Sequence, residues 1–350
     1  MSVKTVIPHS KPTLGQEEID AVSKVIALGH IAQGEISLEF ERAFAEFMGV
    51  SYAASASSGT AALHLVLAAM GIGPGHQVII PSYVCTALFN AVCYTGAVPV
   101  CADICPETFN ICPDHVKKLV NSRTRAVIVP HMFGMAADID AFPGFGVPVI
   151  EDCAQSAGSL YKGKKTGSFG YAGIFSFYAT KMLTTGEGGM VVSRSKSLID
   201  KIKDLKNYDN RDDGRVRFNY KMTDMQAALG LVQLKKLPEF IKLRKAAALM
   251  YDKGLAGSDL RIPHPFLDHI YYRYVVSAKN DSSYLISELN KQGIHSARPV
   301  FMPIHRVLKL KGFENTEKAW KHNLSIPIYP GLTVKELQRI IKAVVSLLHV

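Results

Sequence analysis

The sequence predicts an α/β protein with a large domain built on a mixed, mostly parallel sheet and a smaller α+β domain after it. Three observations predict this. Short apolar runs alternate with helical segments through the first two-thirds of the chain. That βαβα rhythm places helices on both faces of a sheet. The rhythm then changes, and 350 residues are enough for one large domain and a smaller one.

The elements follow in order. Thr60 to Met70 is rich in Ala and Leu and reads as a helix, stopped at Gly71 and followed by a Gly73-Pro74-Gly75 turn. Gln77-Val78-Ile79-Ile80 is a buried strand ending at Pro81, and Ala97-Val98-Pro99-Val100 resembles another. Pro113 to Val120 is helical. Ala126 to Val129 and Val147 to Ile150 are further strands. Asp224 to Lys236 and Pro238 to Gly254 read as two long amphipathic helices. Beyond them, Tyr271 to Ser277 and the stretch around Arg298-Pro299-Val300 look like strands, and Ser283 to Gln292 and Val334 to Leu348 like helices. The expected division is 1–240 for the large domain and 241–350 for the small one.

Composition narrows the function classes. Hydrophobic residues make up 48% and charged residues 20%, a globular balance. No run of about 18 uncharged apolar residues occurs, so no membrane span is expected. The start, MSVKTVIPHSKPTLG, lacks the apolar centre of a signal peptide, which points to the cytoplasm. The six cysteines form no paired C-x-x-C knuckles. Cys101, Cys105 and Cys112 therefore read as buried or partly buried thiols, and no metal is expected. The 40 basic and 30 acidic residues give a net charge of +10, but the cations are dispersed and no nucleic-acid motif is present. A positive field also suits a phosphorylated substrate and an anionic cofactor.

Three segments carry chemistry. In Ser57-Ser58-Gly59-Thr60-Ala61 small residues precede a helix whose first N–H groups and hydroxyls can cradle a phosphate, or merely cap the helix. In Val149-Ile150-Glu151-Asp152 an apolar strand ends in two carboxylates, at the strand end where α/β sheets gather ligands. A solvated strand end gives the same pattern. In Gly173 to Gly189 an aromatic run precedes Thr180-Lys181 and a glycine-rich turn. A lysine enclosed there loses its proton more easily and becomes a nucleophile able to form a Schiff base. The alternative is a solvated turn lysine.

Together these segments resemble the DegT/StrS-type nucleotide-sugar aminotransferases. The resemblance runs from Ile7-Pro8 and Pro12-Thr13-Leu14-Gly15 through Gly59-Thr60-Ala61-Ala62-Leu63, Glu151-Asp152 with Ala154-Gln155, Phe175-Ser176-Phe177-Tyr178, Thr180-Lys181, Gly186-Glu187-Gly188-Gly189 and Asn219-Tyr220-Lys221-Met222-Thr223-Asp224 to Ser325-Ile326-Pro327. It implies a fold-type-I enzyme dependent on pyridoxal 5'-phosphate (PLP). Lys181 matches the lysine that forms the internal aldimine, and Asp152 the carboxylate paired with the pyridinium nitrogen. Gln155 matches a residue near the ring, Ser58, Gly59, Thr60 and Ser176 match the phosphate side, and Asn219 a phosphate contact from a second subunit. A homodimer with shared sites is thus implied.

Where the family often has an aromatic residue on the ring, this sequence has Cys85. Either its thiol packs on the ring or Tyr83 fills the space. His30, His131, Tyr178, Lys221 and His305 are candidate substrate contacts. The implied reaction moves an amino group from glutamate or glutamine to a keto sugar, nucleotide-linked in the first reading. A keto-cyclitol, a free sugar or a non-catalytic regulator are the alternatives. A sugar dehydratase of this fold would carry histidine in place of Lys181.

Overall fold

The computed structural model describes residues 6–263 and 268–348. Helices α1 (Gln16–Leu28) and α2 (Glu35–Met48) precede β1 (Tyr52–Ala56). Then α3 (Gly59–Ala69), β2 (Gln77–Pro81), α4 (Ala87–Tyr94), β3 (Val98–Ala102), α5 (Pro113–Leu119), β4 (Thr124–Pro130) and β5 (Val149–Asp152) keep the alternation. A short hairpin, β6 (Leu160–Tyr161) and β7 (Lys164–Lys165), leads into β8 (Ala172–Ser176), β9 (Gly189–Ser193) and α6 (Lys196–Leu205). Helix α7 (Asp224–Leu255) leads to β10 (Tyr274–Ser277), α8 (Ser283–Lys291), α9 (Ile304–Val307), α10 (Glu314–His322), β11 (Asn323–Ile326) and α11 (Val334–Leu348).

Seven strands form one sheet in the order β1-β9-β8-β5-β4-β2-β3. Only β9 runs antiparallel to its neighbours, so six strands share a direction. Successive residues of the central strands enter opposite cores. Ile80, Ile128, Ile150, Ile174 and Val191 pack under α3. On the other face Phe175 and Val192 join Phe40 and Phe44 of α2, and Ile79, Val127 and Val149 join Phe142. Both faces are buried, which is why these strands read as continuous apolar runs rather than alternating ones. Each such fully buried side chain contributes about 1.5–3 kcal/mol over exposure.

A second core gathers Ala247, Tyr251 and Leu255 of α7 with Tyr274, Val276, Leu289, Leu324, Ile326 and Ile340. Ile7 belongs to it too, its N–H donating to Gly293 O at 2.8 Å. Among the described residues no helix is long and apolar enough to cross a membrane.

Two expectations need correction. The two helices expected at 224–236 and 238–254 are one, α7, with Pro238 inside it. Residue 240 falls within that helix, and the cores change over around it, between Leu237 and Ala247. The stretch 298–300 is not a strand. Only Ala297 bridges to Ser325, Pro299 has no N–H to donate, and the Arg298 guanidinium is spent on the Trp320 carbonyl and Asp281.

Candidate active site

The carboxyl ends of β1, β5 and β8 converge because of their register. Gly189 of β9 lies opposite both Ala56 of β1 and Ser176 of β8. A Cβ at Gly189 would stand 2.3 Å from the Ser58 carbonyl oxygen, so glycine alone lets the chain leaving β1 come this close. A cavity of about 250 Å³ opens at this convergence. Its polar lining is Ser58, Gly59, Thr60, Cys85, Asp152, Ser176, Tyr178, Lys181 and Glu187, and Leu63, Leu88 and Ile174 supply apolar wall.

One end of the cavity is the start of α3. Ser58 caps it, its Oγ accepting from Ala61 N–H at 3.0 Å. The Gly59 and Thr60 N–H groups have no partner within the helix and carry its positive dipole end. A Cβ at Gly59 would lie 2.8 Å from Ser176 Cβ, so the glycine keeps Ser176 and the helix start together.

The other end holds Asp152, the last residue of β5. It is buried, and its Oδ1 accepts from Ala154 N–H at 2.9 Å. Burial pushes the carboxyl above its ordinary pKa, against the pull of Ala154 N–H, Lys181 and His131. Lys181 sits on a loop tied at its base, where Phe177 O accepts from Thr185 N–H at 2.9 Å and from Thr184 Oγ at 3.2 Å. Its own N–H closes a turn onto Tyr178 O at 2.9 Å. Lys181 Nζ stands 5.1 Å from the centre of the Tyr272 ring. Burial would raise the Tyr272 phenol, but the Lys181 and Arg273 cations outweigh it and bring the pKa down to about 8.

Beneath the site Glu151 ties the structure together. Its oxygens accept from Gly167, Phe169 and Gly170 N–H, each at 2.7 Å, and from His131 Nε2 at 3.0 Å. His131 Nδ1 accepts from Ala137 N–H at 3.0 Å, which leaves its Nε2–H to donate to Glu151. These bonds also spend the lone pairs that His131 and Glu151 could offer a metal beside Cys153.

The structure separates the remaining sequence candidates. His131 and His305 lie outside the cavity lining. Both are buried, and His305 is held by Ser82 Oγ and Glu317, each at 2.6 Å, and stacked on Phe313. Tyr178 lines the cavity. Tyr83 does not fill the space beside Cys85, since it is fully buried, donates to Ala319 O and accepts from Asn323. Gln155 lies outside the lining, its Oε1 accepting from Phe133 N–H at 2.8 Å. His30 lines a different cavity with Gln33 and Asp224. Lys221 pairs with Asp209 at 2.6 Å, and Asn219 is exposed away from the lining. Sequence reasoning missed Glu187, Leu88 and Tyr272. Glu187 stood inside a quoted motif, but Tyr272 comes from a distant segment with no local signal.

Residues 12–345 match the family model described as the DegT/DnrJ/EryC1/StrS aminotransferase family. The chain belongs to that family. It is 36% identical to a GDP-perosamine synthase of Caulobacter vibrioides, across 96% of this chain and 97% of that one. The aminotransferase TlmJ from Streptoalloteichus hindustanus superposes with a TM-score of 0.92 at 31% identity, covering 98% of each chain. A Streptococcus pneumoniae protein solved in its PLP form gives 0.93 at 25% identity, covering 99% of each chain. The chain is an aminotransferase with the fold-type-I architecture, and the family depends on PLP.

The residues present fit that cofactor. Asp152 is a buried carboxylate with no cation bonded to it, as a pyridinium N–H requires. The Ser58-Gly59-Thr60 helix start and Ser176 form an anion cradle across the same cavity, and Lys181 lies in its wall.

Proposed function

We propose that this chain is a cytoplasmic aminotransferase that moves an amino group from glutamate or glutamine to a nucleotide-linked keto sugar, with Lys181 as the lysine that carries PLP. The observation that carries this reading is the single cavity shared by Lys181, Asp152 and the α3 cradle. The likeness to a relative named for GDP-perosamine supports the sugar substrate.

When bound, PLP supplies the electron sink that lets an amino-bearing carbon lose its proton. Asp152 holds a proton at the pyridine nitrogen. The Gly59 and Thr60 N–H groups and Ser176 hold the phosphate. Lys181 Nζ, once released, takes the proton from the donor carbon and returns it elsewhere as general base and acid. Leu63, Leu88 and Ile174 exclude water from one wall. Cys85 lines the cavity, where its polarisable thiol would pack against the cofactor ring. Gln155 has its oxygen committed to Phe133 N–H, and its amide N–H₂ would be the group left to donate toward the cofactor. Tyr178 reaches substrate from the cavity wall, and His30 and Lys221 belong to the sugar side. Asn219, exposed and away from its own cavity, completes the phosphate site of a second copy, so the working unit is a homodimer. The lobe of residues 241–350, joined by Ile7 and His9, brings Tyr272 against Lys181.

Lys181→Ala is expected to lack the long-wavelength absorbance of lysine-linked PLP and to lose multiple turnover. Normal turnover in that variant would sink the assignment. A panel of nucleotide keto sugars and free keto sugars, with product identification, tests the substrate class.

A further inference from the structure

One buried imidazole beside the phosphate cradle has no part in the chemistry above. His64 lies on α3, about 7.5 Å along the helix from Gly59, and is buried. Burial lowers its pKa below the ordinary 6.5, so the ring is neutral at neutral pH. It packs against rings from the segment between α6 and α7. The His64 ring stands edge-on to Phe218, with centres 4.7 Å apart, and to Tyr220 at 5.8 Å. Its Nδ1 lies 3.3 Å from the Tyr220 hydroxyl. Tyr94 of α4 meets the same imidazole edge-on at 5.6 Å.

These contacts decide where Asn219 is presented. Tyr220 N–H donates to Phe218 O at 2.9 Å, so residues 218–220 form a γ-turn with Asn219 at its centre. The Phe218 and Tyr220 rings stack on each other, 5.2 Å apart and 14° from parallel, and both face His64. A residue between two side chains that share one side is turned to the other, and Asn219 is exposed. The backbone pins both ends of the turn. Phe218 N–H donates to Leu205 O, and Tyr220 O accepts from Ser57 N–H, each at 2.8 Å. The chain leaving β1 toward the α3 cradle therefore also anchors the turn that presents Asn219.

We infer that His64 is a positioning residue for Asn219, and that it serves the phosphate site of a second copy of the chain rather than the cavity of its own. The inference rests on the reading of Asn219 given above. Asn219 reaches another chain only if the γ-turn keeps its direction. The backbone bonds fix the ends of the turn, and the grip of His64 on both rings fixes its direction. Removing the imidazole loses the contacts to Phe218 and Tyr220 and the Tyr220 hydroxyl bond together. The cradle of the same chain keeps its cap, because Ser58 and not His64 caps α3.

The test titrates PLP into variant chains and reads the long-wavelength absorbance of lysine-linked PLP. Lys181→Ala chains are silent in this signal. His64→Ala alone is expected to bind PLP about tenfold more weakly, since three contacts are lost together. A loosened α3 would do the same, and mixing separates the two causes. With excess Lys181→Ala, after dissociation and reassociation, each His64→Ala chain sits beside a partner whose His64 and Asn219 are native. Its PLP affinity is then expected to return to the wild-type value, as that of Asn219→Ala should in a parallel mixture. Phe218→Ala, at a half-buried position outside α3, covers the case in which His64→Ala fails to fold, and it is expected to show the same loss and the same rescue. Rescue of Asn219→Ala but not of the His64 and Phe218 variants would overturn the inference, because the defect then lies in their own cavities. Unchanged PLP affinity in both variants would overturn it as well. No rescue of Asn219→Ala itself would instead refute the shared site on which the inference rests.

Discussion

At Glu151 a carboxylate is fully buried and still ionised, because four N–H donors replace its water. Burial alone raises its pKa, but His131 and the backbone donors outweigh that and hold it below the ordinary 4.5. A folded-state value below the unfolded one contributes stability above pH 4.5 that is lost as pH falls through the folded value. Glu151→Gln is expected to cost about 3 kcal/mol near neutrality. Urea midpoints from pH 7 down to pH 3 check it, and the gap between wild type and variant should shrink in acid. The same neighbourhood shows what a sequence conveys about single residues. Lys181 and Asp152 stand in segments whose flanking residues differ from ordinary turns, so they could be picked out. His131 and His305 stand at strand and loop ends as substrate contacts do, and only their packing shows that they face Glu151, Ser82 and Glu317. Tyr272 was illegible as a neighbour of Lys181 because the fold alone brings it there.

Elements were legible where one physical rule dominates. Fully apolar short runs became β2, β4 and β5, and the small-residue turn before α3 became the wall of the cavity. The reading failed where two rules compete. Pro238 argued for a break, yet α7 continues because buried residues flank it on both sides, Leu237 and Phe240 among them. Arg298-Pro299-Val300 looked extended, but the side-chain bonds of Arg298 rather than a ladder hold it. The start of α3 yields a prediction. Gly59→Ala places a Cβ against Ser176 and parts the helix start from β8. It is expected to weaken PLP binding by about tenfold, since one or two phosphate bonds lengthen together. Fluorescence titration of apoenzyme with PLP checks it, and an unchanged Kd would contradict the cradle.

For the whole molecule, the large sheet and a second core after about residue 240 could be anticipated from the change in pattern, while the capture of Ile7 by that second core could not. A run of a few N-terminal residues carries no periodicity to show which lobe it will join. Asn219 supplies the test of assembly. Lys181→Ala and Asn219→Ala are each expected to be impaired, the first completely. Mixed after dissociation and reassociation, they should regain activity, because one of the two sites in a mixed dimer receives both native residues. Titrating one variant into the other and assaying checks this, and no recovery would count against a shared site.

Helix α7 has a mechanical consequence. At its start Asp224 accepts the N–H groups of Gly34, Ile36 and Ser37 and its own N–H binds the Ile31 and Ala32 carbonyls. Further along, Arg244 grips the carbonyls beneath Tyr272. A helix of 32 residues is a beam about 48 Å long. The beam thus joins the second core to the 30–34 loop, and Pro238 leaves one rung of the hydrogen-bond ladder unfilled between them, so bending there costs least.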